Sequence, residues 1–269
     1  MKKWAVAQVD AGTTVEENLE TALGMIGEAA DEGCSLIAFP EFFLLRGDQD
    51  STRAHPMPLD SEPVRKLSRS AKQNRIHLLA GTIPVPVEEN ENYFYNTALY
   101  IESNGTLSHQ YRKIHLFDIE LEDEFTLRES DVLAPGNQVV DGQVDGLHAG
   151  FSICYDLRFP ELYRELSRRR VQVIFVPSNF TRETGRAHWE PLLRARAIEN
   201  QCYVVAPNQW GPNRDTGVAS LGQSMVVDPW GQVIGRASDG ETWFSVQIDP
   251  DYVSEVRRQL PSLNHVELL

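Results

Sequence analysis

Apolar positions recur along the chain with two different periods, and the alternation between them sets out the elements. Trp4 to Val9 is a short apolar-rich run of strand type, whereas Val15, Leu19, Ala22, Leu23, Ile26 and Ala30 fall at the three- and four-residue spacing of a helix face. Thr14-Val-Glu-Glu17 has the form of a capping box ahead of that helix, and Gly33 is a stop. Leu36 to Phe39 is a short buried-type strand ended by Pro40-Glu41, which completes a βαβ unit. The cycle recurs with a helix over 62–74, a strand over 76–83, and a hairpin in which 96–101 and 106–111 flank Ser103-Asn-Gly105. The second half repeats the theme: strand 147–153, helix 160–170 with proline in its first turn, strand 171–176, helix from about 190 to 200, and strand 202–206. Strand 223–227, the turn Pro229-Trp-Gly231, and strands near Val233 and Phe244 finish the pattern. This predicts an α/β fold, with mixed sheets because the late hairpins are antiparallel. No linker or low-complexity tract interrupts it, so residues 1–269 are expected to form a single domain.

Composition narrows the class. The chain is 41% hydrophobic and 24% charged, the balance of a globular domain with ample core. The net charge of −14 argues against nucleic acid as a partner, because phosphate binding needs a basic surface. No apolar run approaches the ~18 residues of a membrane span, and MKKWAVAQVD is too short and polar for a secretory leader. A cytoplasmic, reducing location without membrane attachment is therefore expected. Cys34, Cys154 and Cys202 are odd in number and far apart, which favours neither a disulfide framework nor a zinc site. No phosphate-binding loop, dinucleotide fingerprint or metal-ligand spacing occurs, so no cofactor and no metal are expected.

Chemistry concentrates where strands end, the usual place for functional groups in α/β sheets. Glu41 follows LIAFP, Lys113 follows SHQYR and Cys154 follows GFSI. Each has an ordinary reading taken singly: a loop acid, a solvated cation, a core thiol. Together they suffice for acyl transfer. A carboxylate takes the thiol proton, the thiolate attacks an amide carbonyl, and an ammonium stabilises the resulting oxyanion. A Cys–His pair using His115 or His188 is the rival arrangement.

The three segments read together resemble the nitrilase, or carbon–nitrogen hydrolase, superfamily. The likeness is carried by Phe39-Pro-Glu41, by YRKIHLFD over 111–118 and by CYDLRFPE over 154–161, and it continues through 175–209 and 224–235. The resemblance implies a four-layer αββα sandwich with mixed sheets that pairs into homodimers or larger homo-oligomers, with the tail from about 250 to 269 contributing to oligomer contacts. It makes Cys154 the nucleophile, Glu41 the general base and Lys113 the oxyanion stabiliser. A second glutamate is common in the family between the lysine and the cysteine. Glu129 matches it best, although DIELEDEFTLRES lacks the proline and glycine often present there and also offers Glu120, Glu122 and Glu124.

Tyr155-Asp156 stands where true nitrilases usually carry Trp-Glu. The segments after Cys154 look most like the branch that holds omega-amidases and deaminated-glutathione amidases, which implies a small amide substrate bearing a carboxylate. A guanidinium grips a carboxylate well. Arg158 is the first candidate, unless it pairs with Asp156 or Glu161; Arg182 and Arg186, expected on a loop after Phe180, are weaker ones. Tyr155, through its backbone N–H, and Asn179, which replaces an alanine common in relatives, are further substrate-binding candidates. Trp210 is placed either at the mouth of the pocket or in a packed loop. Hydrolysis of an N-carbamoyl amino acid or another small amide, and a non-catalytic binding or scaffold role, are the alternatives.

Overall fold

The computed structural model describes residues 1–121 and 125–267. Its order begins with β1 (Lys2–Gln8), α1 (Val15–Asp31), β2 (Leu36–Ala38), α2 (Gln49–Ala54), α3 (Glu62–Asn74), β3 (His77–Val87), β4 (Asn90–Ile101) and β5 (Leu107–Arg112). A two-stranded ribbon, β6 (Asp118–Leu121) and β7 (Phe125–Arg128), leads into β8 (Asp141–Val144), β9 (Leu147–Phe151), α4 (Pro160–Arg168), β10 (Val173–Phe175), α5 (Arg182–Asn200) and β11 (Tyr203–Ala206). The small ribbon β12 (Trp210–Pro212) and β13 (Ala219–Leu221) precedes β14 (Met225–Val227), β15 (Val233–Arg236), β16 (Thr242–Ile248) and α6 (Pro250–Gln259).

Two six-stranded mixed sheets result, ordered β16-β1-β2-β3-β4-β5 and β15-β14-β11-β10-β9-β8. In each, three central parallel strands (β1-β2-β3 and β9-β10-β11) are flanked by antiparallel neighbours. Alternate residues of β1 show how the layers stack. Trp4 and Val6 face the second sheet and share a core with Ala149, Phe151 and Phe175, while Ala5 and Ala7 pack with Leu19, Ala22 and Ile26 of α1. Trp4 stacks on Phe175 with ring centroids 5.7 Å apart. With α1 and α3 outside the first sheet and α4 and α5 outside the second, the architecture is the expected αββα sandwich.

Several local expectations change. Thr14 makes no side-chain cap bond; Asn18 instead folds its amide back, accepting from the Gly12 N–H and donating to the Gly12 and Leu44 carbonyls. Helix α5 starts at Arg182, not near residue 190, and carries Pro191 inside it. Proline removes one ladder donor and so reads as a start from sequence. Arg182 and Arg186 therefore lie on the first turns of α5 and not in a loop. Residues 250–259 form a helix docked on their own chain, burying Val253 and Val256 while Arg257 donates to the Val171 and Gln201 carbonyls.

Candidate active site

Three chain reversals at strand ends meet at one cavity. After β2 the chain turns through Pro40, Glu41 and Phe42, the last at φ +58°. The turn sits directly on a bulge in β3: a Cβ on Gly81 would lie 2.1 Å from the Pro40 carbonyl oxygen, and the next residue, Thr82, accepts from the Phe42 N–H at 3.0 Å. Only glycine tolerates that approach. Lys113 follows β5, held on both sides of its backbone by the Asn96 carbonyl and the Gly136 N–H. Cys154 opens a single 3-10 turn, Cys154–Arg158, after β9, with φ +44°. A left-handed cysteine is strained, and its surroundings hold it: the Cys154 N–H donates to Pro177 at 3.0 Å and the Asp156 N–H to Ile153 at 2.9 Å.

The side chains converge. Lys113 Nζ lies 2.9 Å from Glu41 Oε1 and 2.9 Å from Glu129 Oε1. Glu41 is 1% exposed; its Oε1 also accepts from Asn96 Nδ2 at 2.8 Å, and its Oε2 accepts from the Asn179 N–H at 2.9 Å. Glu129, at the end of β7, is aimed by the Phe117 N–H, which donates to Oε2 at 2.7 Å. Burial opposes the ammonium of Lys113, but Glu129 and Glu41 outweigh it and raise its pKa well above the ordinary value. Burial likewise raises the Glu129 carboxyl, against the lysine. The Cys154 thiol is pushed well above its usual range by burial and then by the Glu41 charge, while Lys113 and the Asn179 amide act the other way. Burial and the Glu41 charge both favour the protonated form of the Cys154 thiol, so a thiolate there needs a base to take its proton.

The cavity, 520 Å³ in volume, is lined by Glu41, Glu129, Cys154, Tyr155, Arg158 and Asn179, with Phe42, Phe117, Val132, Leu133 and Phe180 supplying apolar wall. Lys113 lies behind this surface, fully buried by its two carboxylates. It has three N–H donors, of which the glutamates take two, so one remains. Tyr155 is the second residue of the 3-10 turn, where amides have no partner within the turn.

All seven expected site residues thus come together at or directly behind the cavity. Arg158 pairs with neither Asp156 nor Glu161. Its Nη1 meets His188 Nδ1 at 3.2 Å, its guanidinium lies over the Phe180 ring at 5.1 Å, and no described carboxylate is within ion-pair distance. The Cys–His arrangement has no geometry: His188 is with Arg158, and His115 bonds Asp156 and stacks on Phe159 at 3.7 Å. Arg182 and Arg186 do not line the cavity, and Trp210 packs beneath Arg182. The side chains of Glu120, Glu122 and Glu124 lie outside the described residues. Among the described residues, no three His, Cys, Asp or Glu side chains are grouped to hold a metal ion.

The sequence reading passed over two supporting features. One is Asn96, a buried polar residue of β4, which reaches Glu41. The other is Asp156, fully buried, which ties the lysine loop to the cysteine turn. Its Oδ2 accepts from Tyr111 Oη at 2.7 Å and the Ile153 N–H at 2.8 Å, and its Oδ1 accepts from the His115 N–H at 3.0 Å and Nδ1 at 2.7 Å. Tyr111 and His115 each stand two residues from Lys113, which is the signal that was available.

Comparison with known proteins agrees with this geometry. The carbon–nitrogen hydrolase family model matches residues 3–258. The chain is 38% identical over 264 residues to the deaminated glutathione amidase of Synechocystis, covering 97% of this chain and 96% of that one. It is also 38% identical to the omega-amidase NIT2 of Xenopus tropicalis, covering 91% and 87%. The crystal structure of the Caenorhabditis elegans NitFhit protein superposes with a TM-score of 0.94 at 36% identity, covering 99% of this chain and 65% of the worm chain.

Proposed function

The chain belongs to the carbon–nitrogen hydrolase family, an enzyme family, and we propose that it is a metabolite-repair amidase hydrolysing a small carboxylate-bearing amide through a thioester on Cys154. Deaminated glutathione and omega-amides such as 2-oxoglutaramate are the substrates this reading favours, since relatives at 38% identity carry the corresponding names. The observation that carries the mechanism is the buried Glu41–Lys113–Glu129 array opening beside Cys154 into one cavity.

Glu41 takes the proton of Cys154 as the sulfur attacks the amide carbon. The free N–H of Lys113 and the Tyr155 amide receive the developing oxyanion; donors of this kind are worth about 3 kcal/mol each. Glu41 then passes its proton to the leaving nitrogen, and the amine departs as the thioester forms, as ammonia from an omega-amide or as a peptide amine from deaminated glutathione. Water enters, gives a proton to Glu41 and attacks the thioester; the acid leaves, and the proton returns to Cys154. Glu129 holds Lys113 in place throughout. Arg158, whose guanidinium faces the cavity without a carboxylate partner, binds the carboxylate of the substrate, and Asn179 contributes to the same pocket.

Two further elements belong to the proposal. Homodimers form through an exposed apolar face where Ile198 of α5, 48% exposed, lies against the turn carrying Trp230, 49% exposed; Ile198→Asp then lowers the molar mass seen by light scattering, and an unchanged mass refutes this face. The protein works in a reducing, cytoplasmic setting, consistent with three free cysteines and with no helix among the described residues long and apolar enough to cross a membrane.

Intact-protein mass spectrometry during turnover of 2-oxoglutaramate and of deaminated glutathione tests the function. An acyl adduct on Cys154, with ammonia released from 2-oxoglutaramate and no turnover by Cys154→Ala, is the expected result. Turnover that persists in Cys154→Ala overturns the mechanism.

A further inference from the structure

The amide of Asn179 is held in one orientation by a relay of donors that starts at a buried arginine. Arg46 is 1% exposed, and each of its five N–H bonds has an acceptor. Nε donates to the Ala11 carbonyl at 3.0 Å; Nη1 donates to the Trp210 carbonyl at 2.8 Å and to Ser220 Oγ at 3.0 Å. Nη2 donates to the Asp10 carboxylate and, at 3.0 Å, to the Pro212 carbonyl. A guanidinium has no acceptor, so Ser220 Oγ can only accept from it. The hydroxyl keeps one proton to give. Its other partner among the described residues is the Asn179 side chain, 2.6 Å away.

The atom of Asn179 that faces Ser220 is therefore its oxygen. Were the amide turned over, the hydroxyl proton of Ser220, a residue only 4% exposed, would have no acceptor. The Nδ2 group consequently points away from Ser220. It bonds no described residue, and Asn179 lines the cavity together with Cys154 and Arg158. An alanine at 179 would present no such donor.

We propose that Asn179 Nδ2 is a specificity-determining donor that reads an accepting oxygen on the acyl chain of the substrate, and that Ser220 and Arg46 are positioning residues that set its polarity. This rests on the amidase reading above and deepens it. With Arg158 taking the carboxylate, the cavity favours an amide whose chain also bears a neutral oxygen acceptor, such as a 2-oxo group, over the plain monoamide of a dicarboxylic acid. A site built around a donor rejects a ligand that lacks the acceptor, because the donor is then desolvated without a partner.

Calorimetric binding to the Cys154→Ala protein, which cannot turn substrate over, tests the proposal with 2-oxoglutaramate and glutaramate. The 2-oxo compound is expected to bind at least about tenfold more tightly, in line with one matched hydrogen bond. Asn179→Asp, isosteric but with an acceptor in place of the donor, removes that preference, and Asn179→Ala does the same by deletion. Ser220→Ala, which frees the amide to turn, reduces it severalfold, whereas Ser220→Thr keeps the hydroxyl and keeps the preference. Equal binding of the two compounds, a preference that survives Asn179→Asp and Asn179→Ala, or no binding of either at millimolar concentration overturns the proposal. Failure of the amidase reading is seen separately, as the absence of an acyl adduct on Cys154.

Discussion

Replacing Asp156 by Asn tests whether the buried carboxylate holds the lysine loop and the cysteine turn in register. The substitution preserves shape and exchanges one acceptor oxygen for an NH2 group. Asp156 receives four donors, two on each oxygen. On each side one donor can adapt: Tyr111 Oη can rotate to accept, and His115 Nδ1 can lose its proton by changing tautomer. The other donor on each side is a backbone N–H, of Ile153 or of His115, and cannot. Either orientation of the Asn amide therefore leaves one buried N–H facing an NH2 group. An unpaired buried donor costs about 1–3 kcal/mol, and the lost bonds to a charged acceptor cost about 1.5–3 more. The variant should lose roughly 3–5 kcal/mol of stability in urea unfolding, read from the midpoint at unchanged slope. Tyr111→Phe removes one adaptable donor only and should lose about 1 kcal/mol. Because one tether is the amide of Ile153, next to Cys154, and the other belongs to the loop of Lys113, kcat should fall by about 100-fold with little change in KM. If Asp156→Asn matches Tyr111→Phe in both stability and kcat, the carboxylate is not what aligns the two segments.

Glu41→Gln removes the base while leaving Lys113 paired with Glu129; ammonia release should fall by about 1,000-fold in a stopped assay with the melting curve retained, and a loss under tenfold contradicts the role of Glu41. The raised Cys154 thiol should react with a small non-amide thiol reagent more slowly than free cysteine at pH 8, with the rate still climbing above pH 9; a plateau below pH 8 would show the opposite shift. Asp145 is held below the usual carboxylate range: burial opposes its charge, but bonds from Trp4 Nε1, Ser35 Oγ and Lys2 Nζ outweigh it. A depressed carboxylate contributes stability above its unfolded value of about 4 and loses it as pH falls through the lower folded value. Asp145→Asn should accordingly be less stable at pH 7, with its deficit against the parent shrinking as pH falls below about 4 in thermal melts; parallel curves through that range refute the assignment.

Much of the fold was legible because both sheets are buried on two faces, so that their central strands are short apolar runs set between helices of clear period. Helix 62–74 and the βαβ unit around Glu41 appear where the pattern put them. What the pattern missed, it missed for local reasons. Pro191 hid the first two turns of α5, the ribbon strands of three or four residues are too short to show a period, and Asn18 took over the capping that Thr14 promised. Glu41, Lys113, Cys154 and Glu129 were readable by their motifs, whereas Asn96, Asp156 and the Arg46–Ser220 relay were not. A supporting residue is defined by which donor meets which acceptor across the fold, and that leaves no trace in spacing.

The sequence by itself determined the layered α/β class, the family likeness and the residue types able to perform acyl transfer. Apolar period, strand ends and short motifs are local properties, carried by neighbours along the chain. Only the tertiary structure decided that Arg158 meets His188 and no described carboxylate, that His115 is bonded to Asp156, and that the oxygen of the Asn179 amide faces Ser220. Each of these depends on partners far apart in the chain, Asn179 and Ser220 being separated by 41 positions and Asn179 and Glu41 by 138. Charge and hydrogen-bond polarity in a buried site are set by whichever groups the fold brings within about 3 Å, and no local pattern encodes that meeting.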